Sequence, residues 1–244
     1  MANGTAPISP QDVSMRSHGP FRRTYVWQWP IRIFHWVNAV SLTVLFCTGL
    51  YIAWPIFSPG GGAFNHFLMS TVRQVHFTFA FIFVINFLWR IYWFWVGNEY
   101  ARSGFPFVWK KAWWRDLFRQ AWQYLSLRRG FVHLGHNALS GVTYTFVIAL
   151  GWAQIFTGFA MYGEIKPGGF FDSVFGWVIP LLGGSFQVHM WHYLVAWGFL
   201  VFAIVHIYVV LYDGQQYKNG LVTSMVSGVK FYHESDLDYD KPQK

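Results

Sequence analysis

Four long apolar runs divide this chain, at 33–54, 75–96, 138–161 and 189–212, each long enough for a helix to cross a hydrocarbon core of about 30 Å. Polar or turn-forming stretches separate them. The first run stops at Pro55 and the SPGGG stretch at 58–62, the second at Gly97-Asn98, and a Gly- and aromatic-rich loop at 162–186 precedes the fourth. Between the second and third, residues 99–137 include FVWKKAWWRDLFRQAWQYL, in which Trp, Phe and Leu alternate with Lys and Arg at helical spacing. That pattern predicts a helix lying in the membrane interface, or an ordinary amphipathic helix packed on the protein surface. Residues 1–24 read as a disordered tail and 213–244 as a second polar tail. The expected fold is an all-α integral membrane protein, a four-transmembrane-helix bundle with an amphipathic cytoplasmic interfacial helix and no evident internal repeat.

Composition agrees with the membrane as solvent: 54% of residues are hydrophobic, 22% aromatic and 11% charged. The net charge of +8 does not imply nucleic acid, because the basic residues gather beside apolar runs. The N-terminal tail and the 99–137 loop carry most of them, whereas the loops at 55–74 and 162–188 carry only Arg73 and Lys166. By the positive-inside rule both termini are expected in the cytoplasm of a multi-pass membrane protein. No apolar stretch resembling a cleaved signal peptide is evident at the start. The single cysteine, Cys47, excludes a disulfide framework and a thiolate metal cluster.

Once the topology is set, each histidine has a depth. His76 and His192 fall near the outer ends of the second and fourth runs, and His35 and His206 near the cytoplasmic ends of the first and fourth. His192 and His206 are fourteen residues apart, nearly four helical turns, so they share a face and lie about 21 Å apart along the axis. An ionisable residue within a bilayer is costly without a partner, and these four sort into two pairs. Two imidazoles from facing helices suit a six-coordinate haem iron. A zinc site would need one compact tetrahedral set, and without Cys-x-x-Cys-His the haem would be haem b, held without thioether links. His189 is an alternative to His192 but lies about 100° off the face of His206. His18, His66, His133 and His233 are assigned no metal. Gly49, Gly141, Gly151, Gly158 and Gly198 could admit a porphyrin close to the backbone or could serve helix packing.

The stretches RIFHWVNA (32–39), VRQVHF (72–77), RIYWFWVGN (90–98), GHN (135–137), TGFAMYGE (157–164), VHMWHYLVAW (188–197) and TSMVSG (223–228) resemble the b-type cytochrome subunit of membrane-bound nickel-iron hydrogenases. A more distant resemblance is to the cytochrome b subunit of respiratory formate dehydrogenases. The resemblance implies an electron-transfer subunit and membrane anchor. It would take electrons from the iron-sulfur small subunit of a periplasm-facing hydrogenase, whose large subunit holds the nickel-iron site, and deliver them to the quinone pool. It also implies an outer haem b on His76 and His192 and an inner one on His35 and His206. Arg32 and Arg73 are candidates to contact haem propionates, with Arg90 marking the membrane boundary. His136 and Asn137 are candidates to contact quinone at the cytoplasmic side. The alternative is that Asn137 simply caps a helix. A haem-free membrane anchor is the remaining alternative for the whole chain.

Overall fold

The structure, a computed structural model, describes residues 21–57, 67–104, 108–126 and 134–233. Four helices in it are long and apolar enough to cross a membrane. They are α1 (Trp29–Ala53), α2 (Leu68–Val96), α5 (Ala138–Gly163) and α8 (Ser185–Tyr217). Short helices α3 (Glu99–Arg102) and α4 (Lys111–Ser126) lie between α2 and α5, and α6 (Phe170–Phe175) and α7 (Val178–Leu181) lie between α5 and α8. Helix α9 (Leu221–Ser227) follows α8.

Each spanning helix extends beyond its apolar run. Helix α1 starts four residues earlier, with Pro30 in its first turn, where a missing N–H costs nothing and the fixed φ is already helical. Helix α2 starts at Leu68, so Arg73 stands on a helix rather than in a loop. Helix α8 continues past Tyr212 until Lys218 adopts a left-handed conformation at φ 49°.

The bundle is built from two helix pairs, α1 with α2 and α5 with α8. Between the pairs, large side chains meet: Phe83 and Phe87 of α2 pack with Ile155 of α5, flanked by Leu42, Leu45 and Trp152. Gly151 is where Phe87 passes, since a Cβ there would lie 2.7 Å from the ring. This glycine serves helix packing.

The two tails differ from the sequence expectation. Residues 21–24 belong to strand β1 (Phe21–Tyr25), and Val229–His233 form strand β2, paired antiparallel with it so that Arg22 faces Tyr232 and Thr24 faces Lys230. The ribbon turns directly into the bundle: the amides of Val26 and Trp27 both donate to Gly228 O. Gly228 sits at φ 82°, where a Cβ would strike the Tyr25 ring at 2.5 Å, so only glycine fits. The ribbon marks one end of the bundle, here the terminal end; the α1–α2 connection marks the opposite, loop end.

Helix α4 bears a stripe of Trp114, Phe118, Trp122 and Leu125 at helical spacing, all exposed among the described residues. Its opposite face meets the bundle, where Tyr124 donates to Asp213 Oδ2 at 2.6 Å. An apolar stripe turned away from the protein is the arrangement of an interfacial helix. His18, His66 and His133 lie outside the described residues.

Candidate haem sites

At the loop end, α1 presents Thr48 to His76 of α2, with Thr48 Oγ1 2.8 Å from His76 Nδ1. Helix α5 does the same for α8, with Thr157 Oγ1 2.9 Å from His192 Nδ1. The next residue in each case is glycine. A Cβ on Gly49 would lie 3.3 Å from His76 Cε1, and one on Gly158 would lie 3.3 Å from His192 Cε1. These two glycines therefore make room for the imidazoles. His76 and His192 thus stand at the same end of the bundle, on α2 and α8. His189 is turned away: it is exposed and its Nδ1 pairs with Ser185 O of its own helix at 2.9 Å.

At the terminal end, His35 of α1 and His206 of α8 face each other with ring centres 6.3 Å apart. Two metal–imidazole bonds of about 2.0 Å, plus roughly 1.2 Å from each ring nitrogen to its ring centre, call for about 6.4 Å. The observed separation of 6.3 Å matches that span. Neither pair has a third ligand: among the described residues no group of three His, Cys, Asp or Glu is placed to hold a metal. Two axial nitrogens alone suit a metal whose other four positions are filled by a macrocycle. Buried Asn38 Oδ1 and Ser41 Oγ, one and two turns inward from His35, have no hydrogen-bond partner among the described residues.

Arg32 and Arg73 each stand three residues before a paired histidine, one turn nearer the adjacent membrane surface. Arg32 Nη1 donates to Val226 O of α9, while its Nε is buried without a partner among the described residues. Arg73 lines a groove of about 540 Å³ with Gln74, Phe81 and Tyr162. Arg90 is 4% exposed; its Nη2 donates to Ala101 O at 2.7 Å and its guanidinium lies over the Tyr144 ring. It ties α2 to the terminal-end loops.

The terminal end is sealed by a polar cluster that the sequence pattern did not reveal. Gln28 Oε1 accepts from Trp93 Nε1 and the Asn98 amide, and Asn98 Nδ2 donates to Val26 O. Lys230, on β2, is 3% exposed; its Nζ donates to Leu134 O at 2.8 Å and lies over the Trp27 ring. Burial pulls its pKa down to about 8, against the pull of Asp213.

His136 packs against Trp27 and Tyr144, with Nδ1 3.0 Å from Ser103 Oγ. Burial, and then the charges of Lys230 and Arg90, push its pKa down to about 3. It is neutral at physiological pH. Asn137 is the N-cap of α5, its Oδ1 accepting from the Ser140 amide at 2.7 Å, which leaves its amide nitrogen for other partners.

The sequence profile of the prokaryotic cytochrome b561 family matches residues 26–228. The chain belongs to that family. A cytochrome of b type carries haem b, and the paired imidazoles suit it. Among similar proteins, one from Cupriavidus necator, named "Probable Ni/Fe-hydrogenase B-type cytochrome subunit", is 39% identical over 217 residues, covering 87% of this chain and 89% of the relative. A relative of the same name from Azotobacter vinelandii is 37% identical, covering 88% and 91%. The "Probable Ni/Fe-hydrogenase 1 B-type cytochrome subunit" of Escherichia coli K12 is 33% identical, covering 84% and 90%.

Proposed function

We propose that this chain is the haem b electron-transfer subunit and membrane anchor of a nickel-iron uptake hydrogenase. The observation that carries the reading is the facing of His35 and His206, with ring centres 6.3 Å apart, in a member of a cytochrome b family whose relatives bear hydrogenase-subunit names; His76 and His192, both at the loop end, form the second pair of this proposal. Each pair holds one haem b. Haem would supply a reversible one-electron couple, with His76 and His192 holding one haem and His35 and His206 the other.

The loop end faces the periplasm and both termini are cytoplasmic, in keeping with the excess of Lys and Arg on the terminal side. Hydrogen chemistry belongs to the partner's large subunit. Its iron-sulfur small subunit docks at the loop end and delivers electrons there. The quinone pool receives them at the terminal end, about 21 Å away along α8. Asn137 contacts the quinone through its amide nitrogen, with neutral His136 beside it as a hydrogen-bond partner rather than a proton donor. Arg32 and Arg73 meet the propionates at the terminal and loop ends.

The test is haem content per polypeptide, with a dithionite-reduced difference spectrum, of the complex purified from membranes through this chain. Two haems b and a co-purifying hydrogenase are expected. Absence of a Soret band would overturn the reading in favour of a bare anchor, and co-purification of a formate dehydrogenase would replace the partner.

A further inference from the structure

Thr48 and Thr157 each make two kinds of contact, and together these fix a proton. Thr48 Oγ1 lies 2.7 Å from Val44 O and 2.8 Å from His76 Nδ1. Thr157 Oγ1 lies 2.6 Å from Ala153 O and 2.9 Å from His192 Nδ1. A carbonyl oxygen only accepts, and a hydroxyl has one hydrogen to donate. Each threonine hydrogen is therefore committed to the backbone one turn earlier in its own helix. What remains on Oγ1 is a lone pair, so the facing imidazole nitrogen must carry the hydrogen. Both histidines are held with hydrogen on Nδ1 and with Nε2 unprotonated, the form that binds a metal.

The terminal-end pair is built differently. His35 Nδ1 is buried with no hydrogen-bond partner among the described residues. The Thr-Gly dipeptide, at 48–49 on α1 and 157–158 on α5, is thus a two-residue device specific to the loop end. Its first residue supplies an acceptor and its second leaves room for the ring.

We propose that Thr48 and Thr157 are positioning residues that orient both loop-end imidazoles and hold the potential of the loop-end centre below the value it would otherwise have. The proposal rests on the assignment of His76 and His192 as haem ligands. Donation from Nδ1–H to an oxygen makes an imidazole a more basic ligand. A more basic ligand favours the ferric over the ferrous state, and hydrogen bonding around the ligands is one of the levers that set the potential of haem.

The experiment is a redox titration of the purified complex carrying Thr48→Val, Thr157→Val or both, compared with Thr48→Ser and Thr157→Ser. Valine keeps the shape and removes the hydroxyl. Haem per chain is counted first, alongside His76→Ala: if that variant keeps the wild-type haem content, the ligand assignment itself fails, whatever the threonines do. With the haem retained, one of the two couples should move to a more positive potential in each valine variant and further in the double variant. The other couple should stay in place, and the serine variants should titrate as wild type. Unmoved couples in the valine variants, or serine variants shifted as far as valine, would overturn the proposal. Should a valine variant lose the loop-end haem, serine at the same position must restore both the haem and the wild-type potential; failure to do so is equally fatal.

Discussion

His35 and His206 stand on different helices more than 170 residues apart in sequence, yet their ring centres lie 6.3 Å apart, with the ring planes at 51°. That separation matches the spacing of about 6.4 Å between the ring centres of two imidazoles bonded to one metal ion. It ties α1 to α8 at the terminal end, as Thr157 and His192 tie α5 to α8 at the loop end.

If the terminal-end pair carries a haem, His35→Ala should lower haem content from two to one per chain. Hydrogen-dependent quinone reduction should then slow at least tenfold, while reduction of a soluble dye by the hydrogenase partner stays at wild-type rate. Haem analysis and parallel quinone and dye assays on the same preparation provide the check, and unchanged quinone reduction would remove His35 from the electron path.

Gly158 leaves 3.3 Å between His192 Cε1 and the position a Cβ would take. Alanine there requires the ring to give by a few tenths of an ångström, so Gly158→Ala should retain most of the haem. The branched side chain of Gly158→Val takes the space of the imidazole itself and should eliminate one haem per chain. Pyridine haemochrome quantification distinguishes the two. Equal haem content in both variants would show that the ring does not sit against this helix.

Asn137 has two separable capacities, an oxygen that caps α5 and an amide nitrogen that has no hydrogen-bond partner among the described residues. Asn137→Asp keeps the acceptor and deletes the donor. Thermal stability should hold, while the KM for quinone should rise roughly five-fold, the cost of about one neutral hydrogen bond. Asn137→Ala should lower stability as well, by about 1 kcal/mol. An unchanged quinone KM in the aspartate variant would leave Asn137 as a cap alone.

His136 links the terminal cluster to pH. Its folded pKa of about 3 lies below the unfolded value near 6.5, so between these the unfolded chain binds a proton that the folded chain does not. Stability contributed by neutral His136 is complete above pH 6.5 and falls as the medium is acidified toward 3. From pH 7 to pH 5 the loss should be on the order of 1–2 kcal/mol. Melting curves in detergent for wild type and His136→Gln should diverge over that range, with the variant showing the flatter dependence. Parallel curves would mean that the ring protonates in place.

The spanning helices were legible because one strong signal dominates them: a backbone in hydrocarbon must satisfy its own hydrogen bonds, so the apolar runs declare the helices. The approach of His35 to His206 was legible for a related reason, since imidazoles inside such runs need partners. The true helix ends were less so. Polar residues at both ends of α8, such as Gln187 and Asp213, continue the helix without contributing to the hydropathy that marks it.

The β-ribbon was hidden for a different reason. FRRTY and VKFYH are short and mixed in character, and their pairing joins segments some 200 residues apart rather than a local turn. Lys230 looked like a tail cation, and only the ribbon brings it over Trp27. Thr48 and Thr157 were missed because a threonine inside a spanning helix usually bonds back to its own backbone. They do so here, and nothing in a single sequence reveals the second contact. The recurring Thr-Gly dipeptide, CTGLY and FTGFA, was the available signal.

Strand β2 is the last element of the described chain, and β1 the first. During synthesis β1 emerges some 200 residues ahead of the strand it pairs with, so the ribbon cannot close until the fourth helix has been made and inserted. Up to that moment Trp27 lacks the Lys230 cation over its ring, and α1 has no α9 backbone to receive Arg32 and Trp36. The ribbon is therefore a clasp that fastens only after all four spans and α9 have been made.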